Sequence, residues 1–435
     1  MGRTAMLLVI AFNVTFMVMG FRMSAISSKA YEKYIAYQVI EQANLTMESA
    51  ANIAISQAFV SSSTPNPSQV ISFMGGTYTA SRTNTAPFLD QLLITGTFNG
   101  VQSTTAIMIQ SSSFSQFAFY SQTEMINGNP IYWITGDICR GPLHTQDFLH
   151  VSGNPVFQGM VTTKNGVQKM DPSDNPAFNG GYKKGVDVNI PTDLTDLKTK
   201  GAAGEYINGL NTYVEFLANG KVIVRTGANG WTESSTAMNG SPNGTVPKCT
   251  TYASVAAVAA SGVLLVNNAD LHVKGVLNGR ITLGDVGSGR ILIDSSVVYA
   301  QTPPTVTNPS ATSDDMLGLV ADNDIHISLN AENNKSPQPD GLEIDASIFS
   351  RTGGFGAENY DTRDKGGKLK IIGGVQQLAR DPVGTFSNGV IQTGFQKDYD
   401  YDTRLQSQSP EGYPRLPFQV QNWVDDSQIS DTFWN

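Results

Sequence analysis

The sequence predicts a mainly β protein with one long N-terminal α-helix, and three observations support this fold class. An apolar run near the N-terminus continues at helical spacing to about residue 60. The rest of the chain alternates short runs of β-branched and aromatic residues with Gly and Asn, which is typical of strands and tight turns. Only 15% of the 435 residues are charged, which leaves few solvated helical faces.

The length and charge of the chain limit the classes of protein to consider. With 435 residues it is long enough for two or three domains, each with its own core. The formal net charge is −9, and Lys and Arg do not cluster anywhere in the sequence. Nucleic-acid binding needs a clustered basic face, so we expect no nucleic-acid partner.

The N-terminal apolar run is a candidate membrane helix. Residues 5–21 are apolar except at Asn13, Thr15 and Gly20, and an arginine flanks the run on each side. A cleaved secretory signal peptide is the alternative, and it requires a change of character after the cleavage site. Here the helical spacing continues without Pro or Gly up to Pro65, so we expect one helix from about Thr4 to Val60.

This helix would extend about 85 Å at 1.5 Å per residue, which is far more than a bilayer requires. Its C-terminal half must therefore pack on another part of the protein. A stripe of alanines would allow a sheet or another helix to approach closely. The stripe consists of Ala30, Ala43, Ala50, Ala51, Ala54 and Ala58.

The helix is also the predicted assembly surface. Asn13 and Thr15 are polar groups inside the apolar run that could bond a neighbouring helix, although a simple tether explains them equally well. The residues predicted to mediate helix assembly are Leu7, Leu8, Ile10, Phe12, Asn13, Phe16, Tyr31, Tyr34 and Ile35.

With this apolar run and its amphipathic continuation, the N-terminal segment resembles type IV pilins and pseudopilins, in particular PilX-type minor pilins. The resemblance implies a membrane-spanning helix whose second half packs on a β-sheet. It also implies association with like subunits or other pilins, and residence in the inner membrane before assembly. Family members usually carry a basic leader and an acid near the start of the run. Here two residues precede Arg3, and the first acid is Glu32.

Further motifs resemble those of uncharacterised bacterial surface proteins with PilX-like N-termini. That resemblance implies a location and an architecture but no activity. The motifs lie at residues 141–145, 149–155, 157–159, 313–321, 353–356, 384–386 and 399–405.

The β-rich body is predicted to begin with an antiparallel meander and to continue as a β-solenoid. Gly75-Gly76 and Asn99-Gly100 are turn signals between alternating apolar segments. Beyond Gly262, short strands meet Gly or Asn at nearly every corner, as stacked β-coils require. A β-sandwich is the alternative, because strand spacing alone does not separate the two architectures.

We therefore expect six segments. They are a membrane-spanning and projecting helix (1–62), an antiparallel meander that packs on it (63–140), Gly/Pro/His connector strands (141–164), a surface insertion (165–250), a β-solenoid (251–408) and an aromatic capping tail (409–435). The aromatic residues of the tail are Phe418, Trp423, Phe433 and Trp434.

Two small sites are candidates outside the helix. Cys139 and Cys249 are the two cysteines; they form a disulfide or remain unrelated thiols, and the sequence gives the two outcomes even weight. Asp398, Asp400 and Asp402 alternate along one edge and form a weak candidate calcium site. Salt links to Lys397 and Arg404 are the favoured use of these acids.

Catalytic residues are not expected. A solenoid can carry polysaccharide-acting sites, for which the acids to inspect, with Arg351 as a cationic partner, are Asp314, Asp315, Asp322, Asp324, Glu343 and Asp345. Turn and corner roles account for most of these acids. His144 and His150 lie near Asp147, but no nucleophile elbow accompanies them, so we expect satisfied turn or core histidines.

Taken together, these features predict a non-catalytic cell-surface structural protein without a cofactor, a subunit of a pilus or other extracellular filament in the bacterial envelope. The alternative is a membrane-anchored adhesin that binds a glycan or a surface through residues 165–250. A polysaccharide-acting enzyme is the third choice.

Overall fold

The computed structural model describes residues 2–60, 70–86, 88–110, 112–228, 248–330, 332–333, 341–387, 390–416 and 419–426. The chain forms two compact units. The first comprises Met1–Ser111 and Pro417–Asn435, and the second comprises Ser112–Leu416. The second unit is therefore inserted into the sequence of the first.

The described elements, numbered along the chain, are three α-helices, two 3₁₀ helices and a series of short strands. The α-helices are α1 (Gly2–Val60), α2 (Thr195–Ala203) and α3 (Val255–Val258), and the 3₁₀ helices are Phe114–Gln116 and Thr403–Gln406. The strands are β1 (Ile71–Phe73), β2 (Gly76–Ala86), β3 (Leu89–Phe98), β4 (Val101–Gln110), β5 (Phe119–Thr123), β6 (Met125–Ile126), β7 (Asn129–Pro130), β8 (Trp133–Ile134), β9 (Ile138–Cys139), β10 (Leu143–Thr145), β11 (Phe148–Ser152), β12 (Val156–Phe157), β13 (Val161–Thr163), β14 (Gly166–Lys169), β15 (Ala177–Phe178), β16 (Tyr182–Lys184), β17 (Glu205–Asn208), β18 (Leu210–Phe216), β19 (Val222–Ala228), β20 (Lys248–Tyr252), β21 (Val263–Asn267), β22 (Leu271–Leu277), β23 (Arg280–Val286), β24 (Ile291–Tyr299), β25 (Met316–Ala321), β26 (Ile325–Ile327), β27 (Leu342–Ser350), β28 (Phe355–Ala357), β29 (Lys365–Ala379), β30 (Gly384–Ser387), β31 (Val390–Asp400) and β32 (Gln419–Asp426).

The predicted fold class is confirmed: one long N-terminal helix precedes a body built mainly of strands. Helix α1 is a single element of 59 residues. After Gly20 it contains neither Gly nor Pro, so nothing interrupts its backbone hydrogen bonds.

In the first unit, the C-terminal half of α1 packs on an antiparallel sheet in the order β1-β2-β3-β4-β32. Besides Thr46, the buried helix positions are Ala43, Met47, Ala50, Ala51, Ala54 and Ala58. They meet alternate residues of β3 and β4, namely Leu92, Ile94, Ile107 and Ile109. The predicted alanine stripe therefore packs on the sheet, except for Ala30, which is exposed.

A glycine in β3 sets how closely the helix approaches. A Cβ on Gly96 would lie 2.6 Å from the backbone nitrogen of Met47 and 2.9 Å from its Cα. The small residues on the helix and this glycine together let the two backbones come close. At the far end of β3, Asn99 (φ 48°) and Gly100 (φ 81°) form the predicted two-residue hairpin turn.

Two predicted boundaries of this unit are corrected. The meander ends at Gln110, so residues 119–139, assigned to it from the sequence, belong to the second unit. Their strands are only two to five residues long, and β5 and β9 pair in parallel with distant segments. The predicted capping tail instead supplies β32, which pairs antiparallel with β4, because its alternating residues fit a sheet edge. Phe418, Phe433 and Trp434 lie outside the described residues.

The second unit is a stack of parallel strands with three faces, which we call the coil stack. On each face, strands one turn of chain apart pair in parallel, whereas the strands of a β-sandwich pair antiparallel. The first face runs in the order β17, β21, β23, β25, β27, β29, β5, β10, β13 and β16. The second face contains β18, β22, β24, β26 and β28, and then β8, β11 and β14.

The third face of the coil stack is built from β22, β24, β27, β29, β31, β9, β12 and β15. Aliphatic side chains from all three faces fill one continuous core. At the corners, Asn323 Nδ2 donates to the carbonyl oxygens of Gly287 (2.7 Å) and Gly289 (2.9 Å) of the neighbouring turn. Asn268, from the turn on the other side, accepts from Ser288 N at 3.2 Å.

The order of the strands shows that the chain enters the coil stack in its middle. From β5 the chain winds through β10 and β13 to β16 at one end. It then restarts at β17 at the other end and winds back until β29 pairs with β5. A seam therefore lies between the turn containing β29 and β31 and the turn containing β5 and β9.

Residues 185–204, which we call the strap, connect the two ends along the outside of the first face. Val188 N donates to Gln146 Oε1 (3.1 Å), and Tyr120 Oη donates to the Val188 carbonyl (2.7 Å). Further along, Arg351 Nη1 donates to the Thr192 carbonyl (3.0 Å), and Leu197 is buried against the stack. The described parts of the predicted surface insertion (165–250) belong to the second unit. They supply end turns and the strap, because their apolar residues cover the first face.

Charged pairs close the seam. Arg380 pairs with Glu124, Lys397 pairs with Asp137 (2.6 Å), and Arg140 pairs with Asp398. The Arg380 guanidinium also lies 4.8 Å from the centre of the Trp133 ring and 5.4 Å from that of Phe119. Each pair joins residues from opposite sides of the seam.

Replacing Gly96 with Val should destabilise the first unit by about 1–3 kcal/mol, because the added side chain collides with the backbone of α1. Urea unfolding of the full chain in detergent measures the loss. Leu93→Val, on the outward side of the same strand, is the matched control and should cost less than about 1 kcal/mol. Equal losses for the two variants would contradict the proposed close approach.

Replacing Arg380 with Met should destabilise the coil stack by about 3–5 kcal/mol, because Glu124 is left buried without its cation. Burial raises the pKa of Glu124, whereas Arg380 opposes the rise. The loss should therefore shrink in acid, where the carboxyl becomes neutral. Arg290→Met removes a cation that is 39% exposed and should cost less than about 1 kcal/mol. Chemical unfolding at pH 5 and pH 7 tests both expectations.

Candidate functional site

The candidate functional site is the N-terminal half of α1. Every residue from position 2 to position 35 is exposed, whereas the buried positions of the helix begin at Ala43. The helix is long and apolar enough to cross a membrane; its most apolar 18-residue window has a mean hydropathy of 2.1, and none of that window is buried. We call residues 2–35 the exposed segment.

The predicted assembly residues all lie on the exposed segment. Leu8 is 72% exposed and Phe12 is 63% exposed, so large apolar side chains are left without cover. The ring centres of Phe12 and Phe16 are 4.9 Å apart. The other members of the set are also exposed, namely Leu7, Ile10, Tyr31, Tyr34 and Ile35.

The two polar residues inside the apolar run bond their own helix. Asn13 Nδ2 donates to the carbonyl oxygen of Val9 (3.0 Å), and Thr15 Oγ1 donates to that of Ala11 (2.8 Å). These bonds satisfy the donors without a neighbouring helix, which lowers the cost of placing both residues in lipid.

The structure does not bring the two cysteines together. Cys139 is buried in β9 and Cys249 is exposed on β20, and both thiols are free. The ladder from β20 to β9 runs through β19, β18, β22, β24, β27, β29 and β31, whereas a disulfide needs Cα atoms within about 7 Å. Burial raises the pKa of Cys139 to about 12, so this thiol is also unreactive.

The three aspartates of the candidate calcium site bind different parts of the protein. Asp398 pairs with Arg140 and with Lys368 (3.2 Å), and Asp402 pairs with Arg404 (2.7 Å). Asp400 accepts from Thr307 and from the backbone of Tyr401. Lys397, one expected partner, instead binds Asp137. The three carboxylates do not converge on a common point.

Most of the acids considered for catalysis accept hydrogen bonds from backbone amides at the turns of the coil stack. Asp315 accepts from the amides of Gly279 (2.6 Å) and Gln301 (3.0 Å), and Asp345 accepts from Tyr299 N (2.8 Å). Among the others, Asp314 is exposed, Asp322 accepts from Arg351 Nε (2.6 Å), Asp324 accepts from Gly354 N (3.0 Å) and Glu343 pairs with Lys370 (2.9 Å).

The two histidines differ from each other. Both ring nitrogens of His144 are within hydrogen-bond distance of a side-chain oxygen, Thr162 Oγ1 (2.8 Å) and Gln146 Oε1 (3.2 Å). His150 is 1% exposed, and its ring nitrogens have no hydrogen-bond partner among the described residues. It is therefore not a satisfied histidine, contrary to expectation. Burial lowers the pKa of both rings, so both are neutral at pH 7.

Sequence reasoning missed a pocket of about 250 Å³ beside the seam. It opens on the second face, where the ladder is interrupted between β28 and β8. Aromatic side chains and one acid are among its lining residues, including Tyr132, Tyr360, Phe386 and Asp381. The residues that form it are about 250 positions apart in the sequence, so no local pattern marks it.

Comparisons with known proteins give limited similarity. The family model described as a domain of unknown function (DUF4900) matches residues 90–165. No curated protein matches the sequence. Among solved structures, the chain is similar to the competence-associated pilin ComZ from Thermus thermophilus, with 12% sequence identity and a TM-score of 0.37 over 89% of this chain and 97% of that one.

A buried acid in the coil stack should make stability depend on pH. Asp285 is fully buried, and its two carboxylate oxygens lack hydrogen-bond partners among the described residues. Burial, with Asp270 and Asp322 nearby, raises its pKa to about 9. The folded state thus holds a proton that the unfolded chain, with a pKa of about 3.9, releases. The free energy of unfolding should fall as pH rises from about 4 to 9.

The Asp285→Asn variant should lose less of its free energy of unfolding between pH 5 and pH 8 than the parent chain does. The difference between the two losses should exceed about 1 kcal/mol. Asp345, whose pKa burial raises to about 7, should leave a residual slope. Urea unfolding at several pH values measures the change, with exposed Asp314→Asn as the control. A slope equal to that of the parent chain would contradict the assignment.

Proposed function

We propose that the chain is a non-catalytic structural protein of the bacterial cell envelope, with a pilin-like helix that anchors it in the membrane and joins like subunits. One observation carries the proposal: residues 2–35 of α1 are exposed and largely apolar, while the same helix from Ala43 onward is packed on a sheet. The single helix α1 thus has an exposed apolar segment and a segment that is buried against a sheet.

The exposed segment is long enough for both roles. Its 34 positions extend about 50 Å, whereas the hydrocarbon core of a bilayer is about 30 Å thick. In water, the apolar surface of the exposed segment would have to be covered by another protein. Lipid before assembly, and like helices or other pilins after it, would each provide this cover.

The body of the protein fits a structural role. Most of the acids considered for catalysis accept from backbone amides or pair with cations. A filament subunit of this kind would present its β-rich body outside the membrane. A monomeric, membrane-anchored adhesin is the alternative, and its glycan or surface ligand is not indicated by any described contact.

Membrane integration is tested with a charge in the apolar run. Val14→Arg should reduce the carbonate-resistant membrane fraction several-fold, because an arginine at the centre of a membrane helix costs about 2.5–3.5 kcal/mol on insertion scales. Tyr37→Arg, beyond the apolar run, is the matched control and should leave the fraction unchanged. Equal fractionation of Val14→Arg and the parent chain would remove the membrane assignment.

Assembly is tested by cross-linking in native membranes and in sheared filament fractions. In a Cys249→Ser background, the Leu8→Cys and Tyr34→Cys variants should each form cross-linked dimers. The Asn219→Cys variant, with its cysteine on the coil stack, measures the background of cross-links between chains that collide at random. The remaining Cys139 is buried. Membrane-integrated chains that never cross-link through α1 would favour the monomeric adhesin over the filament subunit.

A further inference from the structure

Three glycines at residues 353–356 lie where a side chain would collide with neighbouring atoms. None of Gly353, Gly354 and Gly356 adopts a positive φ, so their backbone conformation does not require glycine. Space does require it: a Cβ on Gly353 would lie 2.1 Å from Oδ1 of Asp324, and one on Gly356 would lie 2.8 Å from Cβ of Asp381. The glycines therefore make room for two carboxylates.

The two carboxylates lie close to a histidine on the other side of the turn that contains Gly353, Gly354 and Gly356, which we call the glycine turn. His326 in β26 is directly opposite Gly356 in β28, and Asp381 follows β29 on the next turn. Because Gly356 has no side chain, His326 Nε2 reaches Asp381 Oδ2 at 2.9 Å. One donor atom from each of Asp324, His326 and Asp381 lies within 4.8 Å of the others.

The charge of this group is not balanced by the protein. Among the described residues, neither Asp324 nor Asp381 forms an ion pair with Lys or Arg, although Asp324 accepts from Gly354 N (3.0 Å). The other ring nitrogen of His326, Nδ1, is enclosed without a hydrogen-bond partner in the described structure. Two half-buried carboxylates therefore face a single imidazole.

We propose that Asp324, His326 and Asp381 bind a divalent transition-metal ion, Zn²⁺ foremost. One imidazole and two carboxylates are a donor set that suits Zn²⁺, whereas Ca²⁺ takes six to eight oxygen ligands. Three protein donors leave a fourth position for water. The ion neutralises the two carboxylates, for which the glycines make room.

The location gives the ion a structural consequence. Asp324 and His326 belong to the turn with β25 and β26, and Asp381 belongs to the turn that forms the seam, with the glycine turn between them. Ala357 N donates to the Pro382 carbonyl at 3.1 Å, but β28 has no ladder partner on the seam side of the second face. A bound ion therefore ties three turns together beside an interrupted ladder.

The coil stack also contains a matched pair that lacks the second acid. His272 Nδ1 contacts Asp294 Oδ2 at 2.9 Å on the same face. In place of a second carboxylate, Ser328 donates to Asp294. This pair has the same histidine–aspartate contact without the complete donor set, so it serves as the internal control.

The test measures Zn²⁺ binding to the untagged full chain in detergent, in a Cys249→Ser background that removes the exposed thiol. Competition with a chromophoric chelator and elemental analysis should give one Zn²⁺ per chain, with a higher unfolding temperature. His326→Gln and Asp381→Asn should each weaken binding at least about tenfold and abolish the thermal shift. His272→Gln should change the affinity less than twofold, and an equal concentration of Ca²⁺ should not compete.

Gly356→Ala gives an independent test, because it keeps all three donors and displaces Asp381. It should weaken Zn²⁺ binding while the circular dichroism spectrum stays that of the parent chain; if the spectrum changes, the isosteric Asp381→Asn result decides. Absence of stoichiometric Zn²⁺ binding, binding that survives both donor variants, equal loss in His272→Gln, or preference for Ca²⁺ would each overturn the proposal.

Discussion

The architecture of the second unit depends on the seam, where two parts of the chain that are far apart in sequence complete one stack. Backbone pairing of β29 with β5 alone would join two ordinary edges, and any other parallel strand could compete for them. The buried Arg380–Glu124 pair, placed beside Trp133, makes the correct partner distinct. A charge in this position is costly unless its partner arrives, so the seam rejects incorrect pairing and permits one continuous core.

The same logic explains which parts of the fold the sequence could predict. The limits of α1 follow from local pattern: apolar spacing without Pro, and without Gly beyond Gly20, predicts residues 4–60, and the helix occupies Gly2–Val60. The Asn99-Gly100 turn is equally local. By contrast, residues 119–139 have strand-like patterns that predict a continued meander and do not reveal a parallel partner. Arg380 and Glu124 are 256 positions apart, so no window of sequence contains their interaction.

The candidate site shows a similar division. The exposed segment of α1 was predictable because a long apolar run is visible in the sequence. The metal-ligand group was not, since His326 and Asp381 are 55 positions apart and meet only through stacking of turns. The glycines at 353–356 were visible as a motif, but their reason lies in the neighbouring turns. A glycine without a positive φ is a useful signal of this kind once a structure is available.

The insertion of the second unit has a consequence for the sheet of the first. The chain leaves the first unit after β4 and returns in β32, and these two strands are direct neighbours, with Gln110 opposite Gln419. The five-stranded sheet on which α1 packs is therefore complete without any strand of the coil stack. Turns could be added to or lost from the stack without changing that sheet.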